Sequence, residues 1–341
     1  MNLDVAVVGA TGAVGETIVR VLEERNLPVA RLTAFASRER TAAVRFRGRS
    51  IDVRATSVTA LQGFDVVFFA GGEDAAETYA PALVERGTVV IDNSSTFRLR
   101  DDVPLILPEV NAETVRLDHK LFPVANCTAI ILCAALAPIR NVAGLHAVRV
   151  ATYQAASGAG RAGLDEFLGE ERALVLGMPE TEPAVFPRRL ARNVIPQVGA
   201  FDESGYSGEE RKVRDETRKM LGLPNLNVSV TSVRVPVRTA HSEAVWFETD
   251  RKTSVEELST AFERAPGIVF HPEGIVTPRD VEGTDAVHVA RLRAEQETPR
   301  GDLFALWCVG DQLRKGAATN AVQILELLIE RGFVRPSTPA E

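Results

Sequence analysis

The stretch "FPVANCTAIILCAALAPI" (residues 122–139) carries two of the chain's three cysteines. Cys127 ends a predicted strand and precedes an apolar segment that predicts a helix, so it lies near a helix N-terminus. There the helix dipole and the unpaired N–H groups favour the thiolate, which is the nucleophilic form. Cys133, deeper in the same helix, and Cys308, in "LFALWCVG", are predicted to be buried core thiols. Position alone leaves Cys127 open between catalysis and packing.

A catalytic thiol needs an acid/base partner, and the chain has five histidines. Four of them lie in a polar loop, beside or within β-like runs, or before a proline, and are predicted to be structural or exposed: His119, His146, His271 and His288. His241 differs because it lies between two predicted strands in "VRVPVRTAHSEAV", close to Arg234 and Glu243. A histidine at such a junction is still more often structural than catalytic when considered alone.

The segment "VVGATGAVG" places Gly9, Gly12 and Gly15 between the first predicted strand and the first predicted helix. Glycines at this junction allow a tight turn and a close backbone approach to a pyrophosphate, which binds at the helix N-terminus. The spacing is GxxGxxG, and a tight turn without a ligand remains the alternative. In this strand–turn–helix context the segment predicts dinucleotide binding.

The end of the second predicted strand indicates which dinucleotide binds. An acid there would bind the 2′-OH of NAD, but the sequence reads "AFASRER", with Ser37 and Arg38 before the first acid. A hydroxyl and a guanidinium suit a 2′-phosphate, so NADP(H) is predicted. The alternative is that Arg38 is only a solvated surface charge.

The elements that must position these residues fall into two types. A chain of 341 residues is too long for one ordinary core and predicts two domains. Its first half alternates buried strands with helices, which predicts a doubly wound parallel sheet. The predicted strands are "LDVAVVGA", "ARLTAFAS", "FDVVFFAGG", "GTVVIDNS" and "PLILPEV", and the helices are "GAVGETIVRVLEER" and residues 74–86.

After residue 145 longer strands with clearer alternation predict an α+β domain with a mostly antiparallel sheet. An irregular excursion is expected over residues 177–200, where prolines cluster. The segment "GAATNAVQILELLIERGF" predicts an amphipathic helix that packs back on the first domain, and the final "RPSTPAE" is expected to fray. The predicted boundaries are 1–126 for the dinucleotide-binding domain, completed by 312–341, and 127–311 for the catalytic and dimerisation domain.

Composition argues against several other classes of protein. Net charge is -7, basic residues do not cluster and aromatic residues make up 6%, so nucleic acid is not an expected partner. No apolar run reaches the roughly 18 residues of a membrane span, and the N-terminus lacks a signal peptide's basic region. Three cysteines, separated by 6 and 175 positions, fit neither a disulfide framework nor a zinc site. A reducing cytoplasm is the simplest setting, and no metal is expected.

Ten segments in order resemble the aspartate-β-semialdehyde dehydrogenase family along nearly the whole chain. They are "GATGAVG", "AGG", "DNSSTFR", "PLILPEVN", "NCT", "TYQAASGAG", "NVIPQVG", "GYSGEERKVRDETRK", "VRVPVRTAHSE" and "GDQLRKGAATNAVQILE". The resemblance implies NADPH-dependent reductive dephosphorylation of β-aspartyl phosphate, on the route to lysine, threonine, methionine and diaminopimelate. It also implies a small-molecule substrate, phosphate, and a homodimer or homotetramer.

The resemblance also implies a role for individual residues. Cys127 matches the acyl-thioester nucleophile, His241 the acid/base and Gln154 the residue that orients substrate and intermediate. The implied phosphate binders are Arg98 and Lys212, with Asn93 and Asn126 nearby, while Arg234 holds the α-carboxylate and Glu209 the α-ammonium. The implied cofactor contacts are Thr11, Gly12, Ala13, Val14, Ser37, Arg38, Ser157 and Gly158, with Asn320 and Gln323 at the nicotinamide end.

Two departures from the family pattern and two rival functions remain. The family often has "NPNCS" at the nucleophile and a glycine before the histidine, where this chain has "VANCT" and Ala240. Neither removes a chemical group that the mechanism needs, so reaction rate rather than reaction type is in question. One rival is N-acetyl-γ-glutamyl-phosphate reductase, whose acylated amine would leave Glu209 without a purpose. The other is a catalytically inactive paralogue, which the joint presence of Cys127, Gln154, Arg234 and His241 opposes.

Overall fold

The chain folds into two compact units. The structure, a computed structural model, describes residues 2–179, 182–297 and 301–334. Unit 1 comprises the described residues up to Ala125 together with those from Ala317 onward, and unit 2 is the continuous stretch Asn126–Gly316. Within the described ranges no helix is both long and apolar enough to cross a membrane.

Unit 1 is built on a seven-stranded sheet with the order β3-β4-β2-β1-β5-β6-β7. All neighbouring strands in it are parallel except β3 and β4. Its elements before Ala125 are β1 (Leu3–Val8), α1 (Ala13–Glu24), β2 (Val29–Ala36), β3 (Arg40–Phe46), β4 (Arg49–Ala55), β5 (Val66–Phe69), α2 (Glu73–Glu85), β6 (Val89–Asp92), α3 (Pro108–Asn111) and β7 (Leu121–Pro123). The strands β1, β5 and β6 are almost wholly buried, as a sheet covered on both faces requires.

Strand order reverses at β1, because the chain moves from β1 to β2 on one side and returns to β5 on the other. A crevice forms outside the carboxyl ends of the strands at such a switch point. The glycine segment between β1 and α1 lies at this point. The predicted doubly wound class is therefore confirmed for unit 1.

One predicted strand in unit 1 is wrong. The segment "PLILPEV" forms an extended loop followed by α3, although Leu105, Ile106 and Leu107 are buried as a strand would be. Side-chain amides, not a neighbouring strand, satisfy its backbone, because Asn111 accepts from the N–H of Leu107 and donates to the carbonyl of Leu105 (both 2.9 Å). The hairpin of β3 and β4, by contrast, was not predicted, and it turns at Arg47 and Gly48, both with positive φ.

Unit 2 is built on a six-stranded mixed sheet with the order β11-β12-β13-β10-β8-β9. The three central pairs are antiparallel, and the outer pairs β11/β12 and β8/β9 are parallel. Its elements are α4 (Cys127–Ala143), β8 (Ala147–Gln154), α5 (Gly160–Leu176), α6 (Gly208–Leu221), β9 (Asn227–Arg234), β10 (His241–Glu248), α7 (Val255–Arg264), β11 (Ile268–His271), α8 (Pro278–Val281), β12 (Val287–Glu297) and β13 (Asp302–Gly310). The predicted change of sheet type after residue 145 is confirmed.

The last helix, α9 (Thr319–Glu330), belongs to unit 1, where it packs on α1, α3 and β6. Its buried face carries Ala321, Ile324, Leu325 and Leu328. The expected fraying of residues 335–341 lies outside the described residues.

Candidate active site

Cys127 is the first residue of α4, and Asn126 is its N-cap. The side-chain oxygen of Asn126 accepts from the N–H groups of Thr128 (3.0 Å) and Ala129 (3.1 Å). The N–H of Asn126 itself donates to the buried carboxylate of Glu216 at 2.5 Å. The helix start is therefore fixed, and the partly exposed Cys127 thiol lies in the field that favours its ionised form. Cys133 and Cys308 are fully buried, as expected, and burial raises the pKa of both thiols.

A glycine lies directly against the nucleophile. A methyl group added at Gly316 would come within 2.8 Å of the Cys127 Cβ atom, which is closer than two carbons can approach. Gly316 belongs to a π-helical turn, Arg314–Ala318, that follows β13. Only a residue without a side chain leaves Cys127 in its present position.

Glu209, in the first turn of α6, receives several hydrogen bonds on a single oxygen. Its Oε1 atom accepts from Gln154 Nε2 at 2.9 Å, from Asn126 Nδ2 at 3.0 Å and from Thr128 Oγ1 at 3.5 Å. The Thr128 hydroxyl also lies 4.0 Å from the Cys127 sulfur. The structure thus brings together three of the residues named from the sequence, Asn126, Gln154 and Glu209, close to the thiol.

Arg234, at the end of β9, is a buried guanidinium with 6% of its surface exposed. Its Nη1 donates to the carbonyl of Ala155 at 2.7 Å, and its Cζ atom lies 5.7 Å from the centre of the Phe186 ring. Burial lowers the pKa of Arg234, while the neighbouring charges of Glu209 and Cys127 raise it. A guanidinium stays protonated in proteins, so the site holds a fixed positive charge.

His241, the first residue of β10, is completely buried. Its Nδ1 accepts from the N–H of Ala155 at 3.1 Å, so the proton of the neutral ring is on Nε2. Burial, reinforced by the positive charge of Arg234, holds the pKa of His241 well below its usual value. Nε2 has no hydrogen-bond partner among the residues that the structure describes. The site therefore contains a neutral imidazole whose N–H is available to a ligand.

The two residues predicted after "TYQAA" lie beside these groups. A methyl group added at Gly158 would come within 2.7 Å of Arg234 Nη1 and 2.9 Å of His241 Nε2, so the glycine keeps space open at both groups. Ser157 accepts from Gln312 Nε2 at 2.5 Å, and Oε1 of the same glutamine accepts from the N–H of Ala240 at 2.7 Å. Gln312 therefore ties the loop after β8 to the residue before His241.

Unit 1 contains a separate cavity of about 670 Å³ at the switch point of its sheet. The predicted residues Gly9, Thr11, Gly12 and Ser37 line it, together with Thr56, Gly71 and Tyr79. Ala13 and Val14 begin α1 directly behind Gly12, and the exposed Arg38 follows Ser37.

The glycines of this cavity show whether a dinucleotide would fit. Gly9 has φ +80°, and a methyl group there would come within 2.6 Å of the Gly71 backbone. Close backbone approach and a helix N-terminus at one cavity are what a pyrophosphate requires. The residues present therefore fit a dinucleotide.

The other predicted residues of unit 1 form two local groups. Arg98 is buried and donates to the carbonyl of Asn93 at 2.9 Å. In α9, the amide of Asn320 donates to the carbonyl of Ile106 (3.1 Å) and that of Gln323 to the carboxylate of Glu109 (2.8 Å). These two amides hold the loop that had been predicted as a strand.

Lys212 lies in unit 2 on α6, one turn after Glu209. Sequence reasoning did not single out Thr128, Phe186, Gln312 or Gly316. The first, third and fourth fall inside the motifs "NCT" and "GDQLRKGAATN", which was the available signal, while Phe186 had none. Among the described residues no group of three His, Cys, Asp or Glu side chains could hold a metal ion.

Two protein-family models match the chain. They are "semialdehyde dehydrogenase, NAD binding domain" over residues 4–117 and "semialdehyde dehydrogenase, dimerisation domain" over residues 136–315. Fold and site together thus define an oxidoreductase of the semialdehyde dehydrogenase class, with a nicotinamide-dinucleotide domain.

Full-length relatives narrow this class. The chain is 40% identical to aspartate-semialdehyde dehydrogenase of Aquifex aeolicus over 98% of this chain and 100% of the relative. It is 39% identical to that of Bacillus subtilis, over 98% and 99%. A crystal structure of aspartate semialdehyde dehydrogenase II from Vibrio cholerae, complexed with ASA, superposes with a TM-score of 0.90 at 38% identity, covering 97% of this chain and 99% of that one. The chain belongs to the aspartate-semialdehyde dehydrogenase family.

Proposed function

We propose that this enzyme reduces L-aspartyl-4-phosphate to L-aspartate-4-semialdehyde with NADPH, releasing phosphate, through a thioester on Cys127. The observation that carries the proposal is the set of charges beside the thiol. Arg234 and Glu209 provide one fixed positive and one negative group, which suits a zwitterionic amino acid. The reaction is reversible, and it would serve the synthesis of lysine, threonine, methionine and diaminopimelate.

In the first step the Cys127 thiolate attacks the acyl carbon, a C–S bond forms, and phosphate leaves with the electrons of the broken C–O bond. Arg98 and Lys212 are the proposed phosphate ligands, because two cations neutralise the leaving group. Asn93 and Asn126 are the proposed neutral partners. The helix start at Cys127 supports this step, because the helix dipole favours the thiolate, which is the nucleophilic form.

The second half of the reaction reduces the thioester and regenerates the free Cys127 thiol. A nicotinamide, when bound, would supply the hydride that reduces the carbonyl carbon of the thioester. Gln154 is the proposed donor to the resulting alkoxide of the Cys127 hemithioacetal. Collapse of this species breaks the C–S bond, and His241 supports it as acid/base, since its Nε2–H is available to the departing sulfur.

NADP(H) is the proposed dinucleotide, and Ser37 and Arg38 its proposed 2′-phosphate ligands. The cavity at Gly9, Thr11 and Gly12 supports dinucleotide binding in unit 1, with Ala13 and Val14 at the start of α1. Ser157, Gly158, Asn320 and Gln323 remain proposed contacts at the nicotinamide end. In this proposal unit 1 is the cofactor domain and unit 2 the catalytic and dimerisation domain.

A homodimer or homotetramer is the proposed assembly. The matched dimerisation domain supports it, as does an apolar groove on unit 2 lined by Trp246, Ile275 and Trp307, in which Ile275 is 74% exposed. Sedimentation at several protein concentrations would measure the assembly. A cytoplasmic location is proposed from the unbridged thiols.

The experiment for the reaction is phosphate dependence. Aspartate semialdehyde and NADP⁺ should form NADPH only when phosphate or arsenate is present, because the thioester needs an oxyanion to leave the enzyme. The alternative function, N-acetyl-γ-glutamyl-phosphate reductase, is tested in the same assay with N-acetyl-glutamate semialdehyde. This compound should be a poor substrate, because its acylated nitrogen carries no positive charge that Glu209 could bind. Turnover of the acetylated substrate alone, or no turnover at all, would contradict the proposal.

A further inference from the structure

The side chain of Gln154 has no amide hydrogen left for a substrate in this structure. One hydrogen of its Nε2 goes to Glu209 Oε1 at 2.9 Å and the other to Thr128 Oγ1 at 3.1 Å. Its Oε1 accepts from the hydroxyl of Thr152 at 3.2 Å. All these groups are in unit 2, and Gln154 is 2% exposed. The Nε2 group of Gln154, which is the proposed donor to the alkoxide, is therefore already hydrogen-bonded to Glu209.

The orientation of this amide is fixed by chemistry. A carboxylate only accepts hydrogen bonds, so the nitrogen of Gln154 must face Glu209. Asn126 obeys the same constraint, because its Oδ1 caps α4 and its Nδ2 donates to Glu209 at 3.0 Å. Glu209 thus holds amide donors from two elements that border the thiol.

We infer that the substrate's ammonium group releases Gln154 by drawing the carboxylate of Glu209 to itself. An ammonium–carboxylate hydrogen bond carries charge on both sides and is stronger than an amide–carboxylate bond. When Glu209 turns to the ammonium, the Nε2–H of Gln154 becomes available to the acyl oxygen. Glu209 then couples recognition of the amine to stabilisation of the alkoxide.

This coupling rests on the proposed function and deepens its substrate specificity. A simple binding role for Glu209 predicts that a substrate without the amine binds more weakly but reacts normally once bound. The coupling predicts that it also reacts more slowly, because Gln154 stays bound to Glu209. Loss of one oxyanion donor lowers kcat by roughly 10²–10³-fold in other enzymes, so a loss of about tenfold or more is expected here.

The decisive experiment uses 4-oxobutanoate, which is aspartate semialdehyde without its amine, in the phosphate-dependent assay. Glu209→Ala frees Gln154 permanently, so kcat on 4-oxobutanoate should rise at least about threefold above that of the unmodified enzyme. The same variant should lose kcat/KM on aspartate semialdehyde. Glu203→Ala removes an equal charge from an exposed loop residue just before α6 and should change neither value.

Two further variants make the result unambiguous. Adding Gln154→Ala to Glu209→Ala should abolish the gain on 4-oxobutanoate, because the released donor is gone. Glu209→Gln, which keeps the side-chain size, should show a smaller gain and decides the matter if the alanine variant does not fold. If neither Glu209 variant turns over 4-oxobutanoate faster, the coupling is wrong, even where aspartate semialdehyde remains a phosphate-dependent substrate. Failure of that reaction in the unmodified enzyme would instead overturn the proposed function.

Discussion

The guanidinium of Arg234 lies over the ring of Phe186, with 5.7 Å between Cζ and the ring centre. Phe186 lies in the irregular segment between α5 and α6. Helix α5 fixes this segment, because the Glu166 carboxylate accepts hydrogen bonds from the N–H groups of Ala184 (2.7 Å), Val185 (2.8 Å) and Phe186 (3.0 Å). A buried cation–π contact is worth about 1–2 kcal/mol. The segment that carries Phe186 therefore helps to position Arg234, the proposed ligand of the substrate's α-carboxylate.

Phe186→Leu should raise KM for aspartate semialdehyde roughly three- to tenfold while kcat and NADPH binding stay nearly constant. The reason is that Arg234 loses its aromatic support but keeps its charge. Phe186→Tyr, which retains a ring, should restore most of the affinity. Phe201→Leu, at a phenylalanine that is 51% exposed, serves as the matched control. Steady-state kinetics on all three variants would show the split, and a loss confined to kcat would contradict it.

Cys127→Ala should remove all measurable turnover and leave NADPH binding within a few-fold, because Cys127 is not among the residues that line the dinucleotide cavity. Cys133→Ala, in the same helix, should retain activity and lose about 1–2 kcal/mol of unfolding free energy, since a buried group is lost. One equivalent of iodoacetamide should label Cys127 selectively and abolish activity. Phosphate-dependent reduction by the Cys127 variant would rule out the covalent route.

Arg38→Ala should weaken NADPH more than NADH, because only NADPH carries a 2′-phosphate for the guanidinium. A charge-assisted contact corresponds to a loss of roughly ten- to hundredfold in affinity. Arg40→Ala, two residues on at the exposed start of β3, is the control. Fluorescence titration with both dinucleotides measures the effect, and an equal loss for both would show that Arg38 does not select the phosphate.

Glu243 should give the folded protein a recognisable pH dependence. It is completely buried on β10, and burial raises its pKa well above the ordinary 4.5. Between pH 4.5 and that raised value, the folded protein holds a proton that the unfolded chain releases, so stability falls as pH rises. The slope approaches about 1.4 kcal/mol per pH unit.

Glu243→Gln removes this titration and should therefore be the more stable protein at pH 7, with the difference shrinking toward pH 4.5. Urea unfolding of both proteins at pH 5, 6 and 7 measures the difference directly. The difference between the two unfolding free energies also cancels the contribution of His241. Because the pKa of His241 is lowered, that contribution makes stability rise with pH below pH 6.5. Parallel pH profiles would show that Glu243 is ionised in the folded state.

The backbone conformation at Ala240 shows why the family often has a glycine at this position. It is fully buried with φ +71°, a left-handed conformation in which glycine carries no penalty. Ala240→Gly relieves this strain but loses a packed methyl group and gains freedom in the unfolded chain, so unfolding free energy should change by less than about 1 kcal/mol. Ala240→Val, which is β-branched, should cost clearly more and lower activity through His241. Thermal unfolding of both variants tests the assignment.

Prediction from the sequence succeeded best for elements whose structure is determined by a single local segment. Helix α4 with Cys127 at its first turn, the glycine turn after β1 and the apolar face of α9 all follow from local pattern. The loop over Leu105–Leu107 was mistaken for a strand because burial was visible and the source of its hydrogen bonds, Asn111 and Asn320, was not.

Within the site, the sequence offered candidates for several residues but gave no sign of which of them pair. Gln154 and Glu209 are 55 positions apart, and nothing local indicates that one occupies the other's donor. The Gln312 link from Ser157 to Ala240 spans a still longer separation. Motif resemblance named Gln154, Glu209 and Ser157 but not Gln312, and only the fold brings these pairs within hydrogen-bonding distance.

The chain passes between the two units after Ala125 and after Gly316, and in unit 2 the residues beside these two crossings, Cys127 and Gly316, are packed against each other. In the coding sequence unit 2 is therefore one continuous segment whose two ends lie together, whereas unit 1 is encoded by two segments that flank it. A stop codon after Gly316 would spare the coding sequence of every proposed group around the thiol. It would also delete α9 from the other half, leaving a gap where Ala321, Ile324 and Leu328 had been.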